Sequence, residues 1–223
     1  AEKCKFANQL AKNHGIRESL YLNVDRLDAK WTKLLVKEAI ANEATAIAII
    51  AAFPCKGLTR QQGQQRPNLS HPDSALVCPD GHQIIETLAI LNHLIEAFPQ
   101  LAPKVGDVSR DVMWQQLSVM ATNLYPALHR IHHTYYYAPE EMLDGVRSMA
   151  VDATGRFWDY LESQLAPYLG GDAPSAADFY LIMMTRWAPD LDAVVAERPR
   201  LRGFVAAMEA HPTVSAVKDS HTK

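Results

Sequence analysis

Three places in the sequence carry side chains whose types and spacing suit chemistry. In His129-Arg-Ile-His-His-Thr-Tyr-Tyr-Tyr137, His129 and His133 stand one helical turn apart, so two imidazoles could share a metal ion with His132 beside them. No nearby Cys, Asp or Glu completes such a set, so no metal centre is expected, and a polar, aromatic cleft wall fits the run better. Cys4 lies at the start of a helical pattern between Lys3 and Lys5, where the helix dipole and both ammonium groups favour a thiolate over a thiol. Glu86-Thr87 opens another helical pattern; an acid and a hydroxyl there serve the dipole and the cap, and the same groups can hold a ligand's charged ends.

The elements that must position these groups fall into two kinds. Residues 1–98 mix helix and strand signals, whereas residues 107–223 read almost entirely as helix, which predicts an α/β module followed by an all-α module. The join is Phe98 to Gly106, where two prolines and a glycine stop one helix and allow the next to begin. In the first module, Lys3–His14 is helical and Ser19–Val24 alternates as a strand does. Lys30–Asn42 returns to helical spacing through Trp31, Leu34, Leu35 and Ile40. Ala44–Phe53, ended by Pro54, reads as a buried strand, although its alanines also allow helix. A polar loop over Gln61–Asp73 leads to a hairpin, Ser74–Cys78 and His82–Ile85 about the turn Pro79-Asp-Gly81, and then to a helix over Glu86–Phe98.

The second module opens with a long helix whose apolar positions run from Trp114 through Leu117, Met120, Leu124 and Leu128 to Ile131. Pro126 lies inside it and should kink it. Glu140–Leu165 is a second long helix, with Met142, Val146, Met149, Ala153, Phe157, Tyr160 and Leu161 expected inward; Trp114 and Trp187 are expected in the core. Ser175 and Asp178 form the reciprocal pattern of a capping box, which starts a helix apolar on every side to Trp187 and hence enclosed by others. Helices around Leu201–Ala210 and after Pro212 complete the chain.

Composition narrows the class. With 48% hydrophobic and 21% charged residues over 223 positions the chain can bury a sizeable core. A net charge of -3 with scattered basic residues excludes a nucleic-acid footprint. The longest apolar run is about ten residues, against roughly 20 for a membrane helix, so no membrane partner is expected. The odd count of three widely spaced cysteines is not a disulfide framework, and a reducing, cytoplasmic location is expected.

Two segments carry a family resemblance. Gly171-Asp-Ala-Pro-Ser-Ala-Ala-Asp178 before a buried helix resembles the signature of the helical C-terminal domain of cytosolic glutathione transferases. Glu86-Thr-Leu-Ala-Ile90 after the hairpin resembles the family's helix that begins Glu-Ser-x-Ala-Ile. The resemblance runs continuously from Gln83 to His221 and in fragments before that. It implies an α+β, two-module architecture: a thioredoxin-like α/β N-terminal module and an all-α helical C-terminal module, usually in a homodimer. It also implies glutathione as co-substrate, with Glu86 on its ammonium, Thr87 on its carboxylate, and Ser74 and Ala75 along the hairpin. Tyr125, His129, His132 and Tyr136 would then line the pocket of a small apolar electrophile attacked by the glutathione thiol. The structural cap, Ser175 with Asp178, has no catalytic part in that family.

The N-terminal region departs from the family pattern. Cys4–Ile16 and Leu20–Val24 resemble the first helix and second strand, so the first strand and catalytic loop are expected before residue 1, and the module reads as lacking or replacing them. Counting back from Gly15 puts the catalytic position near Ala1, and Cys4 is the nearest reactive side chain. Cys55, just past Ala44–Phe53, is a rival nucleophile at a strand end. Where the family carries Val-Pro before the hairpin, the aligned pair is Asp73-Ser74. These departures leave a second function open, a catalytically silent transferase-fold module that binds a ligand or a protein partner.

Overall fold

Short apolar stretches far apart in the chain meet as strands of one sheet. The computed structural model describes residues 20–21, 33–36, 75–77 and 82–215, and expectations for Lys3–His14, Ala44–Phe53, Gln61–Asp73, Pro79–Gly81, Cys4, Cys55 and Ser74 lie outside them. Strands β1 (Leu20–Tyr21), β2 (Lys33–Val36), β3 (Ala75–Val77) and β4 (Gln83–Ile85) lie side by side in that order. β1 runs antiparallel to β2, β2 parallel to β3, and β3 antiparallel to β4. The expected hairpin is present, with Leu76 opposite Ile84. Lys33–Val36 corrects the helical reading of Lys30–Asn42: Leu34 pairs with Leu76 and Leu35 with Val77, and this distant pairing overrides local helical spacing.

Helix α1 (Thr87–Ala97) follows β4 directly and buries Ile90, Leu91, Leu94 and Ile95, a stripe spaced one and three residues apart that lies along one helical face. A 3₁₀ turn at Pro99–Leu101 ends this stretch. The chain divides into two compact units, one holding the described residues up to Leu101 together with 212–215, the other holding Ala102–His211.

The second unit is helical throughout. Helix α2 (Val108–Val119) is capped by Asp107, whose carboxylate accepts the Ser109 N–H at 2.9 Å. A π-helical turn, Met120–Leu124, joins it to α3 (Tyr125–His132). Pro126 has no N–H to return to an earlier carbonyl. The turn adapts by widening one residue ahead, where the Tyr125 N–H reaches back five residues to the Met120 carbonyl. The expected kink is therefore a wide turn, with Leu117, Met120, Leu124, Leu128 and Ile131 all buried along the inner side.

A 3₁₀ turn at Glu140–Met142 precedes α4 (Leu143–Gln164). Its fully buried residues are Ala150, Thr154, Trp158 and Leu161; of the expected inward set only Leu161 is fully buried, and Met149 is 73% exposed. The buried seam lies one position over because Trp158, 2% exposed, takes the centre of the stripe. Among the described residues Trp158, not Trp114 or Trp187, is the core tryptophan; the latter two are half-buried.

Helix α5 (Ala176–Thr185) is buried at all ten positions, as its all-round apolar pattern requires. Each large apolar side chain buried contributes roughly 1.5–3 kcal/mol, against about 1 kcal/mol for an N-cap, so packing holds the helix and the cap fixes where it starts. Helices α6 (Leu191–Ala196) and α7 (Pro199–Glu209) follow, α6 unanticipated from sequence. Glu162 of α4 caps α7, accepting the N–H groups of Arg200 at 3.0 Å and Leu201 at 2.7 Å.

Candidate functional site

In the sheet-bearing unit, β4 gives way to α1 through one residue. Glu86 sits at φ 71° and ψ 128°, and among the described residues it is the only one other than glycine with positive φ. Its Cβ makes that conformation costly, on the order of 1–3 kcal/mol, and strain of this kind gathers at ligand clamps. The residue is exposed, and its side chain makes no capping hydrogen bond to the helix it precedes. The first N–H groups of α1 have no partner within their own helix, which is the arrangement that receives anions. Thr87 stands half-buried at the first helical position, and Ala75 lies in β3 opposite Ile85.

In the helical unit, the end of α3 and the 3₁₀ turn Thr134–Tyr136 gather an aromatic cluster. Thr134 holds the turn against α3 by donating its hydroxyl to the Arg130 carbonyl at 2.8 Å. The 3₁₀ turn and the residue after it bring three consecutive tyrosines onto the α3 imidazoles, with the Tyr135 and Tyr136 rings 4.7 Å apart. Tyr137 meets His129, Oη to Nδ1 at 2.8 Å, and Tyr135 meets His133, Oη to Nδ1 at 3.1 Å. Tyr136 stacks on His129 with ring centres 5.9 Å apart. Tyr125, on the preceding turn of α3, lies 6.0 Å from the His129 ring and 5.3 Å from Trp187.

Three of the four residues expected in the pocket thus lie together, the Tyr125 and Tyr136 rings each beside that of His129. His132 turns aside: its Nε2–H donates to the Trp187 carbonyl at 2.7 Å, which fixes it as a strut to the end of α5. The sequence places Trp187 in the core, offers His133 only as a metal partner of His129, and gives no individual site role to Tyr135 or Tyr137. The run of tyrosines was the available signal, but which tyrosine meets which imidazole follows from the turn geometry.

The cluster holds His129 and His133 neutral. Burial is the main reason the His129 pKa is pushed down to about 4, and the neighbouring His133, His132 and Arg130 add to it. Burial, then His132, lowers His133 in the same sense. At neutral pH His129 and His133 therefore present neutral imidazoles beside tyrosine hydroxyls rather than cationic charge. Arg130 supplies the nearby positive charge, its guanidinium carbon 5.4 Å from the Tyr137 ring centre.

Ser175 and Asp178 are structural. Asp178 is fully buried and accepts hydrogen bonds from the Ser175 N–H and hydroxyl, both at 2.8 Å, and from the Leu169 N–H at 2.9 Å; the capping box is formed. Among the described residues no helix is long and apolar enough to cross a membrane.

Comparison with known proteins assigns these parts to a class. Residues 124–212 match the family described as glutathione S-transferase, C-terminal domain. Over 106 residues the chain is 28% identical to the GST-like protein YncG of Escherichia coli strain K12, across 47% of this chain and 51% of that one, so it spans about half the length of that curated relative. Among solved structures, a glutathione transferase homolog from Sulfitobacter with bound glutathione is similar at TM-score 0.64 and 25% identity, covering 81% of this chain and 93% of its own. A sphingomonad glutathione S-transferase complexed with glutathione shares the fold at TM-score 0.59 and 21% identity, over 81% of this chain and 96% of that one. Residues 124–212 thus match the helical C-terminal domain of glutathione S-transferases, and the chain as a whole is similar to glutathione transferase structures.

Proposed function

We propose that this protein binds glutathione at the β4–α1 junction and transfers its thiol to a small apolar electrophile. The observation that carries the reading is the strained, uncapped entry to α1: Glu86 keeps positive φ although glycine would relieve it, and its carboxylate is not spent on the helix. In this reading Glu86 takes the glutathione ammonium, while the Thr87 hydroxyl and the open N–H groups of α1 take the carboxylate. Ser74 and Ala75 lie along the peptide, in a module of thioredoxin-like fold.

Cys4 is the proposed group that stabilises the glutathione thiolate, through its own thiol and the charges of Lys3 and Lys5. The sulfur forms a new bond to the electrophilic carbon, the leaving group departs with its bonding pair, and the thiol proton passes to solvent. Tyr125, His129, His132 and Tyr136 are the proposed pocket for the electrophile, with His132 holding the wall to Trp187. Holding both reactants in line supplies most of the acceleration. The working form is a cytoplasmic homodimer.

Retention on immobilised glutathione tests the reading directly. Wild type should be retained, and Glu86→Ala and Thr87→Ala should each elute early; equal retention of all three would remove this glutathione site. The Asp73-Ser74 pair where the family carries Val-Pro supports a second reading, a silent binding module. Retention without conjugation of any general electrophile would favour that module over the enzyme.

A further inference from the structure

The paired imidazoles of His129 and His133 have a geometry that the glutathione site does not use. Their ring centres stand 4.5 Å apart with planes inclined by 42°. A metal about 2.1 Å from each Nε2 sits roughly 3.2 Å from each ring centre, so rings bound at right-angled to tetrahedral positions have centres roughly 4.5–5.2 Å apart. The observed spacing falls at the right-angled end of that range.

Both rings are oriented by their other nitrogen. Nδ1 of His129 is held by Tyr137 and Nδ1 of His133 by Tyr135, and among the described residues no hydrogen bond engages Nε2 of either. Imidazoles that bind metals commonly donate the far N–H to an oxygen, and each tyrosine oxygen can accept that hydrogen bond. Both residues are half-buried rather than enclosed. Their lowered basicity leaves them unprotonated at neutral pH, with little proton competition for an arriving ion.

We propose that His129 and His133 form a two-histidine site for a late first-row divalent ion, bound through both Nε2 atoms and completed by solvent. Imidazole pairs suit Ni²⁺, Cu²⁺ and Zn²⁺, whereas Ca²⁺ and Mg²⁺ need carboxylates that the cluster does not supply. Among the described residues no group of three His, Cys, Asp or Glu side chains is arranged to hold a metal. The site is therefore an exchangeable one, and Arg130 further limits its affinity. His132 takes no part, because its Nε2 is engaged by the Trp187 carbonyl.

Calorimetric titration of untagged, glutathione-free protein with Ni²⁺ tests the site without engaging the three cysteines in copper redox chemistry. Wild type should take up one ion that is lost in the double variant His129→Gln/His133→Gln. Either single change should weaken it at least tenfold, and His132→Gln should leave it within about twofold. Tyr135→Phe and Tyr137→Phe should each weaken binding severalfold through loss of ring orientation. The same series read by the Ni²⁺-induced rise in unfolding temperature covers any variant too unstable for calorimetry, and His133, at the helix end, serves if His129 variants do not fold. No uptake by wild type, uptake unchanged in the double variant, or loss confined to His132→Gln would overturn the proposal. Because no glutathione is present, the result stands apart from the fate of the glutathione site.

Discussion

The starts of α5 and α1 present the same physical problem and meet it in opposite ways. Both are helix N-termini with N–H groups left over by the helix itself. At α5 the chain completes its own entry: Ser175 and Asp178 form the box, and the buried carboxylate also ties down Leu169. At α1 the acid is present, yet it is exposed, held in a conformation that its own Cβ resists, and makes no cap. The difference separates a helix start capped by its own side chains from one that its own acid leaves uncapped. An acidic residue at a helix start does not by itself reveal which kind it is.

The largest test of that contrast is Asp178→Ala. It removes the acceptor of three hydrogen bonds in a buried place, and urea unfolding should show a loss of about 3 kcal/mol, with glutathione retention intact in the folded fraction. A loss near zero would mean that packing alone fixes the start of α5. Glu162→Ala comes next, because α7 borrows its cap from α4; leaving the Arg200 and Leu201 N–H groups without it should cost about 1.5 kcal/mol.

The α1 entry should respond with the opposite sign. Glu86→Gly relieves the backbone and should raise stability by about 1 kcal/mol in the same assay while abolishing retention on glutathione. Glu86→Ala keeps a Cβ, so it should lose retention without the gain. A Glu86→Gly variant less stable than wild type would show that the side chain supports the fold after all.

The smallest effect is a change of slope with pH. Burial pushes the Asp178 carboxyl above the ordinary range, outweighing its accepted hydrogen bonds, which act the other way. A carboxyl whose folded pKa exceeds its unfolded value, about 3.9, costs stability as pH rises from that value towards the folded one. Wild type should therefore lose part of its stability as pH climbs above about 4, and Asp178→Asn should flatten that component. Urea midpoints measured across the range for both proteins check the sign.

What could be read from the sequence follows how local each feature is. The cap at Ser175 needs four residues, and the burial of α5 needs only its own apolar run, so both are legible. The hairpin is legible for the same reason. Lys33–Val36 is not, because its strand depends on Ala75–Val77 some forty residues away. In α4 two neighbouring apolar stripes compete, and only the packed structure chooses Trp158 over Met149. The Glu86 backbone has no sequence mark at all, since neither glycine nor asparagine announces the positive φ. At the aromatic cluster the residue types were visible, whereas the pairing of Tyr137 with His129 waited on a 3₁₀ turn.

The wide turn at Met120–Leu124 sets a rule about length. It holds one residue more than an α-helical turn would, and so acts as an insertion the helix has already absorbed. Deleting any one of those five residues would draw the segment back into an ordinary α-helical turn, with α3 keeping its phase relative to α2 but losing the widened turn ahead of Pro126. Pro126 would then need an ordinary turn in which it has no N–H to offer. The composition of this segment can drift among apolar and small residues, but its length cannot, so a single-codon deletion here should do more harm than most substitutions within it.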